Sequence, residues 1–275
     1  RMMVNHYLDK WQLSNPRPVT ETATSQIYTV EHHGETVILK LLKPIGIADE
    51  KNGAVALRHF DGHGAVRLFQ ADDQAHLLEY ADGDNLVGLV RRGDDERATH
   101  IIADVLNQLH SLPVPSEFGE LTPLYRRFRS LFRVAEQHQQ QGNHSIFVRA
   151  SLLAEDLLAN PRDSRVLHGD IHHENIRHHP KRGWLAFDPK GLIGERTFDV
   201  ANTLCNPLNM PEIVVNETRL LRHIAILAEK MSIEQSRILA FVYVYACLSA
   251  CWSLEDGMDA HEALAIAKLA ERHLR

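Results

Sequence analysis

The chain is 275 residues long and 44% apolar, with 36 Asp and Glu against 30 Lys and Arg for a net charge of −6. That length buries a sizeable core in one domain or two lobes, and the apolar share excludes wholesale disorder. The acidic balance excludes a general nucleic-acid binder, whose phosphate contacts need clustered Lys and Arg. Its 3 Cys cannot build a disulfide framework, which points to a reducing, cytoplasmic setting. No apolar run opens the chain as a signal peptide would. The longest run, 241–252, has 12 residues; it is too short to cross a bilayer and reads as a buried core helix.

In chain order, residues 27–31 and 36–42 are β-branched and aromatic and flank the turn His33-Gly34, a hairpin signal. A helix is predicted over about 48–60, with Ala54 and Leu57 at helical spacing, ended by Asp61-Gly62-His63-Gly64. Two short apolar runs, 65–71 and 76–80, read as a second hairpin. Beyond the acidic loop 81–84 the chain turns helical. A helix is predicted over 95–112, stopped by Pro113 and Pro115, with further amphipathic helices over 124–140 and 146–158. Short runs at 175–177 and 184–187 flank His179-Pro180-Lys181-Arg182-Gly183, again a hairpin, and helices resume from 196 to a last one over 260–274. This divides the chain into a small β lobe with one helix, 1–80, and a larger helical lobe, 81–275. The cleft between them is the expected place for a ligand.

The sharpest segment is His168-Gly169-Asp170-Ile171-His172-His173-Glu174-Asn175, followed thirteen residues later by Asp188. Asp170, on a loop with a glycine, can accept a proton from an attacking hydroxyl. Asn175 opens the hairpin and can offer a carbonyl oxygen to a metal, and the turn at 179–183 brings Asp188 back beside it. Two such oxygens suit Mg²⁺, which takes few protein ligands and completes its shell with phosphates. The plainer alternative makes Asp170 and Asn175 turn residues and Asp188 a strand-end cap; the whole string with a properly spaced Asp favours the chemistry.

The pattern His-Gly-Asp-x4-Asn followed by Asp resembles the catalytic loop of the aminoglycoside phosphotransferases, which share the protein-kinase fold. The stretch from Leu185 through Asp188-Pro189-Lys190-Gly191 to Glu195, with Phe198-Asp199-Val200-Ala201-Asn202 after it, looks like the aminoglycoside/hydroxyurea resistance kinase branch, which contains the streptomycin 6-phosphotransferases. In that branch Asp-Pro-Lys-Gly replaces the Asp-Phe-Gly of protein kinases. The resemblance implies an α+β, protein-kinase-like two-lobed fold and an ATP- and Mg²⁺-dependent phosphotransferase. It implies a small-molecule acceptor with a hydroxyl group, such as streptomycin or another aminoglycoside, or hydroxyurea. A kinase of a housekeeping metabolite and a nucleotide-binding pseudokinase are the alternatives.

On the kinase plan, Lys40 matches the strand lysine that contacts the nucleotide phosphates, with Lys43 its rival, and Glu50 on the next helix is its best-placed partner. On this plan the backbone of Glu79 and Ala81 occupies the position that pairs with adenine; the residues alone read equally as the plain end of the second hairpin. The nucleotide loop Glu21-Thr22-Ala23-Thr24-Ser25-Gln26 has no glycine; Ser25 is a phosphate contact there, or the segment is a simple polar turn. Lys190 either neutralises the transferred phosphate or is a solvated loop lysine. Asp199 either caps its helix or buttresses the catalytic loop. The imidazoles of His168, His172 and His173 read as loop linings rather than as metal ligands. Trp252, Glu255, Asp256, Asp259 and Glu262 are candidates to line a cationic acceptor pocket, or else form a solvated turn.

Overall fold

The computed structural model describes residues 2–117 and 119–275. In chain order its elements are α1 Met2–Lys10, β1 Ser14–Glu21, β2 Ser25–His32, β3 Glu35–Leu42, α2 Ile47–Phe60, β4 Leu68–Ala71 and β5 Ala75–Leu78. Then come α3 Val87–Arg91, α4 Asp95–Leu109, β6 Thr122–Pro123, α5 Leu124–Arg127, α6 Arg129–Gln140, α7 Ile146–Ala159 and β7 Ser164–Leu167. The chain closes with β8 Ile176–His179, β9 Gly183–Ala186, β10 Leu192–Glu195, α8 Thr197–Leu204, α9 Pro211–Val214, α10 Glu217–Met231, α11 Gln235–Glu255 and α12 His261–Glu271.

The first five strands form an antiparallel sheet in the order β1-β2-β3-β5-β4. Alternation along β3 divides its side chains between two faces. Val37, Leu39 and Leu41 pack with Val4, Tyr7, Val30 and Leu77 into a core under α1, while Ile38 and Lys40 line the cleft on the other face. Helix α1 and strand β1 have no counterpart in the sequence reading. The helix is only nine residues long, and β1 carries Pro16 and Pro18, which suit only an exposed edge strand.

Some boundaries differ from expectation for local reasons. The run at 65–71 is a strand only from Leu68, because Ala65 is taken by a parallel bridge to Ala186 and the Val66 N–H donates to the Ala186 carbonyl. The single helix expected over 124–140 is two, turned at the buried Phe128, which lies edge-on to Phe198. Helix α4 stops at Leu109 rather than 112, since the residue before Pro113 is biased away from helical angles.

The helical lobe is built around α11. This 21-residue helix is long and apolar enough to cross a membrane by length and composition, but 72% of its most apolar stretch is buried within the fold. Phe241, Val242, Val244, Ala246, Cys247 and Leu248 are all in the core, which accords with a central packing role for 241–252. A small sheet, β6-β10-β7, and the β8-β9 hairpin carry the segments that face the cleft.

Candidate active site

Lys40 reaches the cleft because β3 points it away from the α1 core, and it is buried there with two carboxylates. Its Nζ donates to Glu50 Oε2 at 2.7 Å and to Asp188 Oδ1 at 3.1 Å. Burial opposes its charge, but Asp188 and Glu50 outweigh that and hold the ammonium above its usual pKa. Glu50 comes from the first turn of α2, and Asp188 from the segment after β9. The two elements approach closely. A Cβ on Gly53 would strike the Pro189 carbonyl, and one on Gly191 would strike the Asn52 carbonyl, so glycine is required where α2 meets this segment. The rival Lys43 points elsewhere and donates to the Thr22 carbonyl at 2.6 Å.

The loop 168–175 joins β7 to β8 and is held by buried groups. Asp199, in the first turn of α8, accepts from the His168 N–H and the Gly169 N–H, each at 2.9 Å, and lies 2.8 Å from His110 Nε2. It therefore buttresses the loop instead of capping its own helix. Burial alone would raise its pKa, but His110 and the loop donors hold it below the ordinary carboxylate range. Gly169 has φ +89°, and its missing side chain leaves room for Leu192 and Lys190. The Lys190 N–H donates to the His168 carbonyl at 2.7 Å, fixing Lys190 beside the loop. His168 is wholly buried. Its Nε2 lies 2.7 Å from the Phe187 carbonyl, which can only accept, so Nε2 carries the proton and Nδ1 takes the Asp170 N–H at 3.2 Å. Burial holds this imidazole neutral, with a lowered pKa. His172 Nε2 lies 3.9 Å from Asp170 Oδ2.

Asn175 donates its amide to the Asp170 carbonyl at 3.0 Å, which leaves its side-chain oxygen as an acceptor. Its own carbonyl accepts the Phe187 N–H at 3.0 Å, one residue before Asp188. Asp170, Asn175 and Asp188 line one cleft of about 410 Å³ with Lys40, Ser25 and Lys190. Among the described residues no three His, Cys, Asp or Glu side chains group as a metal site. One amide oxygen and one half-exposed carboxylate suit a hard cation that draws its other ligands from phosphates and water.

At the opposite end of the cleft, Glu79 directs its side chain away: Arg182 of the β8-β9 turn donates to both its oxygens, at 2.6 and 2.9 Å. Its N–H donates to the Arg67 carbonyl, and no backbone partner for the Ala81 N–H occurs among the described residues. The glycine-free turn between β1 and β2 is closed on itself. Thr22 Oγ1 accepts the Thr24 and Ser25 N–H groups, and the Thr22 N–H donates to the Ser25 carbonyl. The turn therefore offers hydroxyls rather than a nest of free amides, and Ser25 Oγ, buried, sits 3.1 Å from Thr22 Oγ1.

A second cleft of about 600 Å³ adjoins the first through Asp49 and Lys190. Of the C-terminal candidates, Trp252 and Glu255 line it. Asp256 and Asp259 are exposed and Glu262 half-buried, and Asp259 Oδ1 accepts the His261 N–H within its own turn. Four arginines, Arg126, Arg127, Arg129 and Arg133, also line it; sequence reasoning passes over them as the polar face of an amphipathic helix.

The whole chain is similar to known kinases. The family model described as aminoglycoside/hydroxyurea antibiotic resistance kinase matches residues 10–257. A streptomycin 3''-kinase from Klebsiella pneumoniae is 35% identical over 91% of this chain and 92% of its own. A streptomycin 6-kinase from Streptomyces griseus is 29% identical over 94% of this chain and 84% of its own. Among solved structures, choline kinase from Cryptosporidium parvum superposes with a TM-score of 0.66 at 14% identity, covering 98% of this chain and 94% of that one; this is likeness of fold. The chain belongs to the aminoglycoside/hydroxyurea antibiotic resistance kinase family, ATP-dependent enzymes that phosphorylate small molecules.

Proposed function

We propose that residues 1–80 bind ATP, that residues 81–275 supply the catalytic loop and the acceptor site, and that Asp170 is the base of the transfer. In this reading Asp170 takes the proton from an acceptor hydroxyl as its oxygen attacks the γ-phosphorus and the bond to the β,γ-bridging oxygen breaks, releasing ADP. Asn175 and Asp188 are the donors for Mg²⁺, which when bound neutralises charge on the β- and γ-phosphate oxygens. Lys40, steadied by Glu50, contacts the nucleotide phosphates. The Glu79 carbonyl and the Ala81 N–H pair with the adenine edge, and the Ser25 hydroxyl contacts a phosphate. Lys190 neutralises charge on the phosphoryl group in flight. The three free thiols, half-buried or buried, fit a reducing cytoplasm.

The observation that carries this reading is the junction of the Lys40–Glu50–Asp188 ion pairs with Asp170 in one interlobe cleft. Replacing Asp170 by Ala is expected to abolish transfer while nucleotide affinity, read by calorimetry with a non-hydrolysable ATP analogue, changes little. Undiminished turnover would remove Asp170 from the role of base.

The relatives' names make an aminoglycoside such as streptomycin the first acceptor to test, with hydroxyurea beside it. They name two different hydroxyls of streptomycin, so the acceptor cleft rather than the catalytic loop sets which group is phosphorylated. A second reading, a kinase of another hydroxylated metabolite, is favoured by the charge of that cleft.

A further inference from the structure

The cleft beside Lys190 is cationic in a chain whose net charge is −6. Five cationic side chains, Arg126, Arg127, Arg129, Arg133 and Lys190, face it, against two carboxylates, Asp49 and Glu255. One of those carboxylates is spoken for, since Glu255 lies 3.4 Å from Arg133. Among the described residues no carboxylate comes within ion-pair distance of Arg126, Arg127, Arg129 or Lys190. Arg127 is held in place without being neutralised: its guanidinium lies 4.6 Å from the centre of the Trp252 ring, and its buried Nε has no hydrogen-bond partner. A buried donor left unpaired on a charged group is costly and is relieved by an acceptor entering the cleft.

These arginines do not serve the nucleotide cleft, whose lining shares only Asp49 and Lys190 with this one. The cleft nevertheless meets the transfer centre. Lys190 and Leu192 line it, and both pack where a side chain on Gly169 would stand, next to Asp170. A guanidinium-bearing polycation entering here meets like charge, whereas an oxyanion meets planar forks built for bidentate pairing.

Resting on the phosphotransfer reading above and choosing between its two acceptor classes, we infer that this cleft binds the anionic group, phosphate or carboxylate, of a small hydroxylated acceptor, with Arg126, Arg127 and Arg129 as its specificity-determining residues. The anion docks on α5 and α6, and a hydroxyl elsewhere on the same molecule faces Asp170.

The test uses the full chain with Mg²⁺ and a non-hydrolysable ATP analogue. Binding of fructose 6-phosphate, gluconate, glucose and streptomycin is measured by calorimetry, for wild type and for the double substitution Arg126→Ser with Arg129→Ser, both at exposed positions. The expected result is that fructose 6-phosphate or gluconate binds wild type at least tenfold tighter than glucose, that the double variant loses that margin, and that its affinity for the ATP analogue is unchanged. Which of the two probes binds separates a phosphate from a carboxylate group. Streptomycin is expected to bind the variant better than wild type, because repulsion has been removed. Tighter binding of streptomycin than of both anions to wild type, or anion binding indifferent to the two substitutions, overturns the inference. Anion binding as expected together with undiminished turnover in the Asp170→Ala variant would keep the site and instead refute the reading of the transfer centre given above, so the two failures are distinguishable.

Discussion

At the scale of single residues, Lys40 shows how the site divides structural from functional partners. Its shorter contact is to Glu50, whose side chain is 19% exposed, and its longer one to Asp188, which is 51% exposed. Glu50 is thus the fixed anchor, and Asp188 is free to turn to a cation. Replacing Glu50 by Gln keeps an acceptor but removes the charge, and a charge-assisted hydrogen bond of this kind is worth about 1.5–3 kcal/mol. The expected outcome is a rise of roughly tenfold or more in KM for ATP, with KM for the acceptor unmoved. Replacing Lys40 by Ala should lower kcat/KM by roughly a hundredfold or more, since it removes a positioned cation from the transfer centre. Steady-state kinetics with ATP and acceptor varied separately checks both, and an equal effect on the two KM values would deny Glu50 a nucleotide-specific role. The convergence of Lys40, Asp170, Asn175 and Asp188 on one cleft was legible because the signal is local: one eight-residue string, a hairpin of readable length and a strand lysine. Of the partners that fix them, Glu50 was named and Asp199 stood as one of two alternatives, but the group behind Asp199 was not legible. His110 holds Asp199 across 89 residues of sequence, and no spacing rule connects a helix-ending histidine to a distant carboxylate.

At the scale of elements, the β8-β9 hairpin is tied to the segment linking the two lobes by Arg177, whose Nε donates to the Gly83 carbonyl at 2.9 Å, and above all by Arg182. Arg182 donates to both Glu79 oxygens, to the Gly62 carbonyl at 2.8 Å and to the Ala65 carbonyl at 3.0 Å. The His178 N–H adds a bond to the Asp84 carbonyl, and the Gly83 N–H one to the His178 carbonyl. The hairpin that carries Asn175 at its start and Asp188 past its end is thereby set against the end of the cleft proposed above for adenine. Replacing Arg182 by Ala leaves two carbonyls without their donor and the half-buried Glu79 carboxylate with the Arg67 N–H alone among its close donors, and is expected to cost about 2–3 kcal/mol of stability. It should also weaken ATP-analogue binding, because the Glu79 carbonyl moves with its side chain. Replacing Arg182 by Lys should recover only part of both, for an ammonium cannot fork across a carboxylate. Thermal unfolding with analogue titration reads the two effects together, and an Ala variant that binds the analogue as wild type does would show the hinge to be held otherwise. The hairpin itself was plain from its turn residues, as were β2, β3 and α2 from their periodicity. The small β6-β10-β7 sheet was not, because strands of two and four residues carry too little alternation to register, and α1 was missed because its apolar face is narrow and meaningful only against the sheet it covers.

At the scale of the whole molecule, the 18 histidines matter less as ligands than as a reserve of acid sensitivity. His76 and His223 are both buried, and both have pKa values pushed down to about 4. For His76, burial acts first and Lys40 and Arg58 add to it, against Asp72 and Asp188. For His223, burial again acts first and Arg219 and Arg222 add to it, against Asp95 and Glu96. An unfolded histidine titrates near 6.5, so between about pH 6.5 and pH 4 the unfolded chain binds protons at these two positions that the folded chain refuses. Stability is therefore fully present above pH 6.5 and falls as pH drops below it, by roughly 1 kcal/mol per histidine for each unit of pH. The buried carboxylates pull in the same direction over a lower window. Asp199 and Asp95 have pKa values below the ordinary range, so their contribution is lost only as pH falls through those depressed values. The midpoint of urea unfolding should accordingly decline between pH 7.5 and 5.5, before any carboxylate is engaged. Substituting His223 by Gln removes one of these early protons while its neighbour Thr99, 2.8 Å from Nδ1, retains a polar partner. The variant should start less stable at pH 7.5 and lose less between pH 7.5 and 5.5. A decline as steep as that of wild type would mean that the early loss arises at other histidines.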